Sequence, residues 1–210
     1  MKLFLSSVAM TSRLIGPFTG LVGKPAAAIR IALSENAADP YRRSGETIGW
    51  LQDNYEAMEA AGLTIDRIDL RNFRDPKALA AKLASYDVIW LAGGNTFYLR
   101  WLLADTGADV VIRDLVQNGK VFAGASAGAI VAGPTLKHVE LADDPELSPA
   151  WPKDGLGLTR TVVVPHSDQP GYATITGKIN LELKSDGFTT CPLNNDQALI
   201  INGAHQMIVP

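Results

Sequence analysis

The run Gly124-Ala125-Ser126-Ala127-Gly128 sets a serine between two glycines, where the apolar stretch Val121-Phe122-Ala123 gives way to small helix-compatible residues from Ala127 to Ala132. Glycines on both sides permit a sharp strand-to-helix turn, which would expose the hydroxyl at the strand's C-terminal end as a nucleophile. Plain packing of a helix on a sheet would also explain such a turn, so the serine needs partners. A base must take its proton, and histidine suits that task near neutral pH. Of the three histidines, His166 follows the apolar run Thr161-Val162-Val163-Val164 through Pro165 and so stands at a strand end, whereas His138 and His205 do not. A carboxylate must in turn orient the imidazole. Asp196, just before the apolar run Ala198-Leu199-Ile200, fits best. Glu140, Asp143 and Asp144 are its rivals, and Asp168 lies close to His166 in sequence.

A second motif, Leu91-Ala92-Gly93-Gly94-Asn95-Thr96, repeats the geometry of the serine turn at the end of another buried run. If the two strands are neighbours, the amides of Gly94 and Ala127 converge on one oxygen as an oxyanion hole, in which each donor supplies about 2.7–4 kcal/mol. Neither Gly-x-Gly-x-x-Gly nor Gly-x-x-x-x-Gly-Lys-[Ser/Thr] surrounds Gly93, which argues against a nucleotide cradle. Two other readings stay open on the residues alone. One is an esterase of the α/β-hydrolase kind in the order Ser126, Asp196, His205. The other is a ligand-binding domain that performs no chemistry.

Positioning these residues requires alternating strands and helices. Apolar runs at Leu3–Ser7, Ile29–Ser34, Thr64–Leu70, Val88–Ala92 and Val121–Ala125 are separated by helical patterns at Ser12–Val22, Gly45–Ala61, Pro76–Ser85, Thr96–Leu103 and Gly107–Asn118. Gly62 serves as a helix C-terminal glycine. Such alternation predicts a parallel sheet covered on both faces, with ligands beyond the strands' C-terminal ends. A long Pro-marked connection around Asp143-Asp144 then leads to the strand Thr161–Val164. A helix from about Tyr172 to Lys184 and a terminal hairpin turning at Asn202-Gly203 complete the chain.

At 210 residues the chain suits one domain, residues 1–210, with an adequate core. A formal charge of −3 with scattered cations gives no footprint for nucleic acid, and no segment is apolar enough to span a bilayer. The single cysteine, Cys191, excludes an intrachain disulfide and suits a cytoplasmic protein. The start Met1-Lys2-Leu3-Phe4-Leu5 reads as a first strand rather than a signal peptide. No cofactor and no metal is implied, since neither a Cys/His cluster nor His-Glu-x-x-His occurs.

Together, Ala92-Gly93-Gly94-Asn95-Thr96, Gly124-Ala125-Ser126-Ala127-Gly128-Ala129, Val164-Pro165-His166 and Asp196-Gln197-Ala198-Leu199 resemble the peptidase E (aspartyl dipeptidase) family of serine peptidases, related to cyanophycinase. The resemblance implies a three-layer α/β sandwich with a mainly parallel sheet, like class I glutamine amidotransferases. It implies Ser126 as nucleophile, His166 as general base, Gly94 and Ala127 as oxyanion donors with Asn95 beside them in the substrate-binding set, and dipeptides or short peptides as substrates. Where the family has a glutamate late in the chain as the acid, the nearest position here is Asp196, and an acid soon after the serine would instead be Glu140, Asp143 or Asp144. One departure concerns specificity. The family's aspartyl dipeptidase pattern has an arginine downstream of the histidine for an acidic substrate side chain. Here Ser167–Leu183 holds only Lys178, and Arg160 precedes the histidine.

Overall fold

The structure, a computed structural model, describes residues 1–45 and 48–210, the side chains at 50 and 52–55 excepted. In chain order the elements are β1 (Lys2–Ser6), α1 (Ile15–Val22), β2 (Arg30–Ser34), α2 (Asp39–Ser44), α3 (Gly49–Ala60), β3 (Thr64–Arg67), α4 (Pro76–Ala84), β4 (Val88–Leu91), α5 (Thr96–Asp105), α6 (Ala108–Gln117), β5 (Val121–Ala125), α7 (Ala127–Ile130), β6 (Thr161–Val164), α8 (Ala173–Ser185), β7 (Thr189–Pro192), β8 (Ala198–Asn202) and β9 (His205–Val209). Seven strands form one sheet in the order β3-β2-β4-β5-β1-β8-β9. The first five run parallel, β8 is antiparallel to β1, and β9 folds back on β8 as the expected hairpin.

Strand sequences explain why helices cover both faces. Successive side chains of a strand point to opposite sides. Leu3, Leu5, Ile89, Leu91 and Phe122 therefore join one buried cluster with α4, α5 and α6, while Phe4, Val88, Trp90 and Ala123 join another beneath α1 and α3. Under α1 the rings of Phe4, Phe18 and Trp90 lie 5.1–5.9 Å apart in tilted and edge-on contacts. This is the mainly parallel three-layer α/β sandwich that the alternation predicts.

Several elements differ from the sequence reading. β6 does not enter the main sheet: it pairs in parallel with β7, whose run Thr189-Thr190-Cys191-Pro192 is too short and mixed to announce a strand. The small sheet has its own buried patch of Val162, Val164, Ile179 and Leu183. β3 ends at Arg67 because Asp69 caps a tight turn over Leu70–Asn72, accepting from Arg71 N. The helix expected from Gly45 to Ala61 passes through residues 46–47, which lie outside the described residues. α3 covers Gly49–Ala60, and α2 forms ahead of it with Pro40 in its first turn.

The two glycine turns are shaped by close backbone approach. β4 and β5 are parallel neighbours, with Leu91 beside Gly124, so both loops leave the sheet at one edge. A Cβ on Gly128 would lie 2.0 Å from the Leu91 carbonyl oxygen, and one on Gly124 would lie 2.2 Å from that of Gly128. Gly94 has φ +142, and its Cβ would lie 2.3 Å from Ala37 O.

The segment behind Gly94 is braced by buried polar groups. Asp39, 3% exposed, accepts from Asn36 Nδ2 (2.9 Å), Tyr98 Oη (3.3 Å) and Arg42 Nη1 (3.4 Å), and faces Arg71. Asn36 also donates to Asp69 (3.0 Å) and accepts from Leu70 N (3.0 Å).

Two expected outcomes follow from these contacts. Gly128→Ala must displace backbone rather than a flexible side chain, and thermal or denaturant melts should show a loss of about 1–3 kcal/mol or more. The Arg71 guanidinium holds the Asp69 carboxyl at about 2, below its ordinary 3.8. The folded state thus binds fewer protons here, so this stabilisation is complete above about pH 4 and is lost as pH falls toward 2. Arg71→Ala should flatten that part of the stability-versus-pH curve.

Candidate active site

Ser126 occupies the turn between β5 and α7 with φ +48 and ψ −111. A non-glycine residue there costs on the order of 1–3 kcal/mol and persists only where its surroundings enforce it. The enforcement is visible on both sides. Ser126 N donates to Ser6 O of β1 (3.1 Å), and the serine carbonyl accepts from Ala129 N and Ile130 N (both 2.9 Å). Oγ lies 3.0 Å from His166 Nε2.

His166 follows β6 through Pro165 with φ +62, and its backbone N–H donates to Ser7 Oγ (2.8 Å). Its Nδ1 is 2.8 Å from Asn195 Oδ1. An amide oxygen can only accept, so Nδ1 carries the proton and Nε2 is left with the lone pair facing Ser126. Asn195 is held in turn. Its backbone N–H donates to Asp168 Oδ1 (2.9 Å), and its Nδ2 donates to Gln169 Oε1 (3.2 Å).

The chain thus brings together Ser126 and His166 and places Asn195, not Asp196, behind the histidine. Asp196 turns outward to Arg13 at 3.5 Å, both side chains exposed. The reason is local: Asn194 and Gln197 close a turn ahead of β8, with Gln197 N donating to Asn194 O and Asn194 N to Gln197 Oε1, so adjacent side chains point apart. A search confined to carboxylates misses Asn195. The signal that could have found it is its position one residue earlier, since a neutral acceptor also fixes a histidine tautomer. Of the rivals, Glu140 is exposed and Asp144 caps a turn at Glu146 N. His138 pairs with Asp186, and His205 opens the exposed β9.

Gly94 lines the same cavity as Ser126, and Ala127 follows the serine as the first residue of α7. Among the described residues no backbone acceptor engages either amide. Asn95 has a different place from the one expected. Its Oδ1 caps α5 at Tyr98 N (2.8 Å), and its Nδ2 donates to Asp144 O (2.8 Å). Fully buried, it ties the 143–144 loop to α5 instead of facing a ligand. Beside that tie Asp143 Oδ2 accepts from Thr96 N (2.8 Å), and burial pushes the Asp143 carboxyl up from its ordinary value.

A cavity of about 590 Å³ opens in front of these groups, with Gly94, Ser126, Asp143 and His166 in its wall. A serine tied to a histidine, at the C-terminal edge of a parallel sheet and before such a cavity, has the arrangement that a serine-nucleophile hydrolase requires.

Comparison with known proteins narrows the class. The profile of peptidase family S51 matches residues 40–209. An uncharacterised peptidase of Pasteurella multocida is 30% identical over 161 residues, 76% of each chain, and one of Listeria monocytogenes is 29% identical over 159 residues, 75% of this chain and 77% of that one. A crystal structure of a candidate peptidase E from Listeria monocytogenes superposes with a TM-score of 0.83 at 25% identity, covering 99% of this chain and 96% of that one. The chain belongs to peptidase family S51 and is a peptidase of the serine type.

If Asn195 rather than Asp196 supports the imidazole, Asn195→Ala should raise the barrier by about 1–2 kcal/mol, roughly a five- to thirtyfold drop in kcat, through loss of one hydrogen bond and of the tautomer it fixes. Steady-state assays should find Asp196→Ala within about twofold of the parent, as for a solvent-exposed ion pair.

Proposed function

We propose that this peptidase cleaves dipeptides or short peptides through an acyl-enzyme on Ser126, with His166 as general base and Asn195 as the group that orients it. The observation that carries this reading is the continuous line Ser126 Oγ to His166 Nε2 (3.0 Å) and His166 Nδ1 to Asn195 Oδ1 (2.8 Å).

In the first half-reaction His166 Nε2 takes the Ser126 proton as Oγ bonds to the peptide carbonyl carbon, and the carbonyl π electrons move onto oxygen. The amides of Gly94 and Ala127 are the donors available to that oxyanion. When the tetrahedral centre collapses, the C–N bond breaks and the leaving amine receives the proton from His166. Water repeats the sequence on the ester, returning Ser126 and releasing the acid. Asn195 keeps the imidazole in register throughout, but as a neutral amide it adds no negative charge beside the imidazolium.

The cavity, at about 590 Å³, falls within the roughly 300–1,000 Å³ usual for small-ligand sites, which suits a short peptide better than a protein substrate. Labelling with a fluorophosphonate probe followed by peptide mapping should place the adduct on Ser126. Ser126→Ala should abolish both label and turnover while its melting curve stays that of the parent, and His166→Ala should slow labelling by at least about 100-fold. Undiminished peptide turnover by purified Ser126→Ala protein would sink the reading.

A further inference from the structure

The lining of the cavity bears on which peptide enters it. One side of its wall is apolar, supplied by Ile130, Val139, Val162, Val164, Ile179 and Leu183, while Tyr41, Gln169, Tyr172 and Thr176 add polar groups that carry no formal charge. The apolar side chains come from the small sheet and α8, which form a buried patch of their own, from the last residue of α7 and from the connection after it. Neither lysine nor arginine lines it. None of the residues at 46, 47, 50 and 52–55 is lysine or arginine either, so no cation is hidden there. Lys178 and Lys184 of α8, each next in sequence to a wall residue, are exposed and outside the lining.

Among the described residues, the one carboxylate in the wall is Asp143. Thr96 holds it, its N–H donating to Oδ2 at 2.8 Å, and among the described residues no other residue donates a hydrogen bond to this carboxylate. A carboxylate half-satisfied by protein, in an apolar cavity, is matched by a ligand cation rather than a ligand anion.

From this we infer that the site selects peptides whose first residue has an unblocked amino group and an apolar side chain. The ammonium lies at Asp143, the side chain lies on the wall between β6 and α8, and the carbonyl lies at Ser126. An acidic first residue would bring a second carboxylate into a cavity that offers it no cation, and desolvation and like charge both oppose that. The inference rests on the acyl-enzyme reading above and adds to it the chemistry of the acyl residue.

The test is a panel of Leu-Leu, Phe-Leu, Asp-Leu, Lys-Leu and N-acetyl-Leu-Leu assayed with the intact chain, with fluorophosphonate labelling of Ser126 run in parallel. Leu-Leu and Phe-Leu should exceed Asp-Leu and the acetylated peptide by at least about 100-fold in kcat/KM, a discrimination expected where a buried polar group is left unpaired. In Asp143→Asn the advantage of the free over the acetylated peptide should shrink to within about threefold, mostly through KM. The preference of leucine over aspartate should be reduced but not reversed, and labelling should persist. Comparable turnover of Asp-Leu and Leu-Leu, or of the free and acetylated peptides, would overturn the inference while leaving the acyl-enzyme reading standing. So would labelling of Ser126 with no turnover of any unblocked apolar peptide. Absence of both labelling and turnover would instead overturn the acyl-enzyme reading, and this inference with it.

Discussion

Contact between backbones with no side chain between them is the constraint on which the rest of this site depends. Gly128 sits against the Leu91 carbonyl and Gly124 against Gly128, so α7 is drawn onto the ends of β4 and β5 more closely than any Cβ permits. That approach forces the chain to reverse within one residue, and the residue is Ser126 at φ +48. The strain is offset by hydrogen bonds from both flanks, to β1 through its amide and to α7 through its carbonyl. Gly94 repeats the device against Ala37, and Asn95 N donates to Ala37 O at 2.8 Å. The buried brace of Asn36, Asp39 and Asp69 therefore reaches the reactive end of the molecule indirectly. It fixes the segment on which the Gly94 turn rests.

The histidine is positioned by a different part of the chain and by a weaker kind of force. His166 belongs to the small β6–β7 sheet, and Ser7, at the end of β1, receives its backbone N–H. The orienting group is an amide, which fixes direction without contributing charge. Electrostatic stabilisation of the transition state then falls chiefly to the donors at the oxyanion, where the field acts on the charge that develops.

How much of this the sequence reveals depends on whether a feature is made by local rules. The serine turn was legible because glycine at 124 and 128 leaves few alternatives, and the parallel core was legible because Leu3 to Leu5, Val88 to Leu91 and Val121 to Ala123 are apolar on both faces. His166 was legible as a strand-end residue, although the departure of its strand into a second sheet was not. Nothing in Thr161–Val164 distinguishes pairing with β7 from pairing with the main sheet; that choice is made by Ile179 and Leu183 of α8, far along the chain. Asn195 was hidden by a matter of one residue. Which of two neighbouring side chains points inward depends on the hydrogen bonds of the turn from Asn194 to Gln197, and on Asp168 holding the amide of Asn195. Asn95 shows the converse: its place in a glycine motif suggests contact with a ligand, but capping α5 and tethering the 143–144 loop use its whole side chain.

That tether separates two kinds of constraint. Ser126 and the two glycine turns are fixed by backbone geometry at the edge of the main sheet, where a methyl group on Gly94, Gly124 or Gly128 is excluded. The surfaces a substrate side chain would meet come instead from β6, α8 and the long connection after α7, where the limit is packing within a small patch and not the path of the backbone. Interior packing of that kind accepts exchanges of similar volume at a cost of about 1.5 kcal/mol or less. A change of charge or shape in the cavity wall can therefore occur without disturbing the serine turn, whereas the turn itself admits almost no change. Asp143 is the point where the two meet: it accepts from Thr96 N in the first turn of the helix that follows Gly94, and it also lines the cavity.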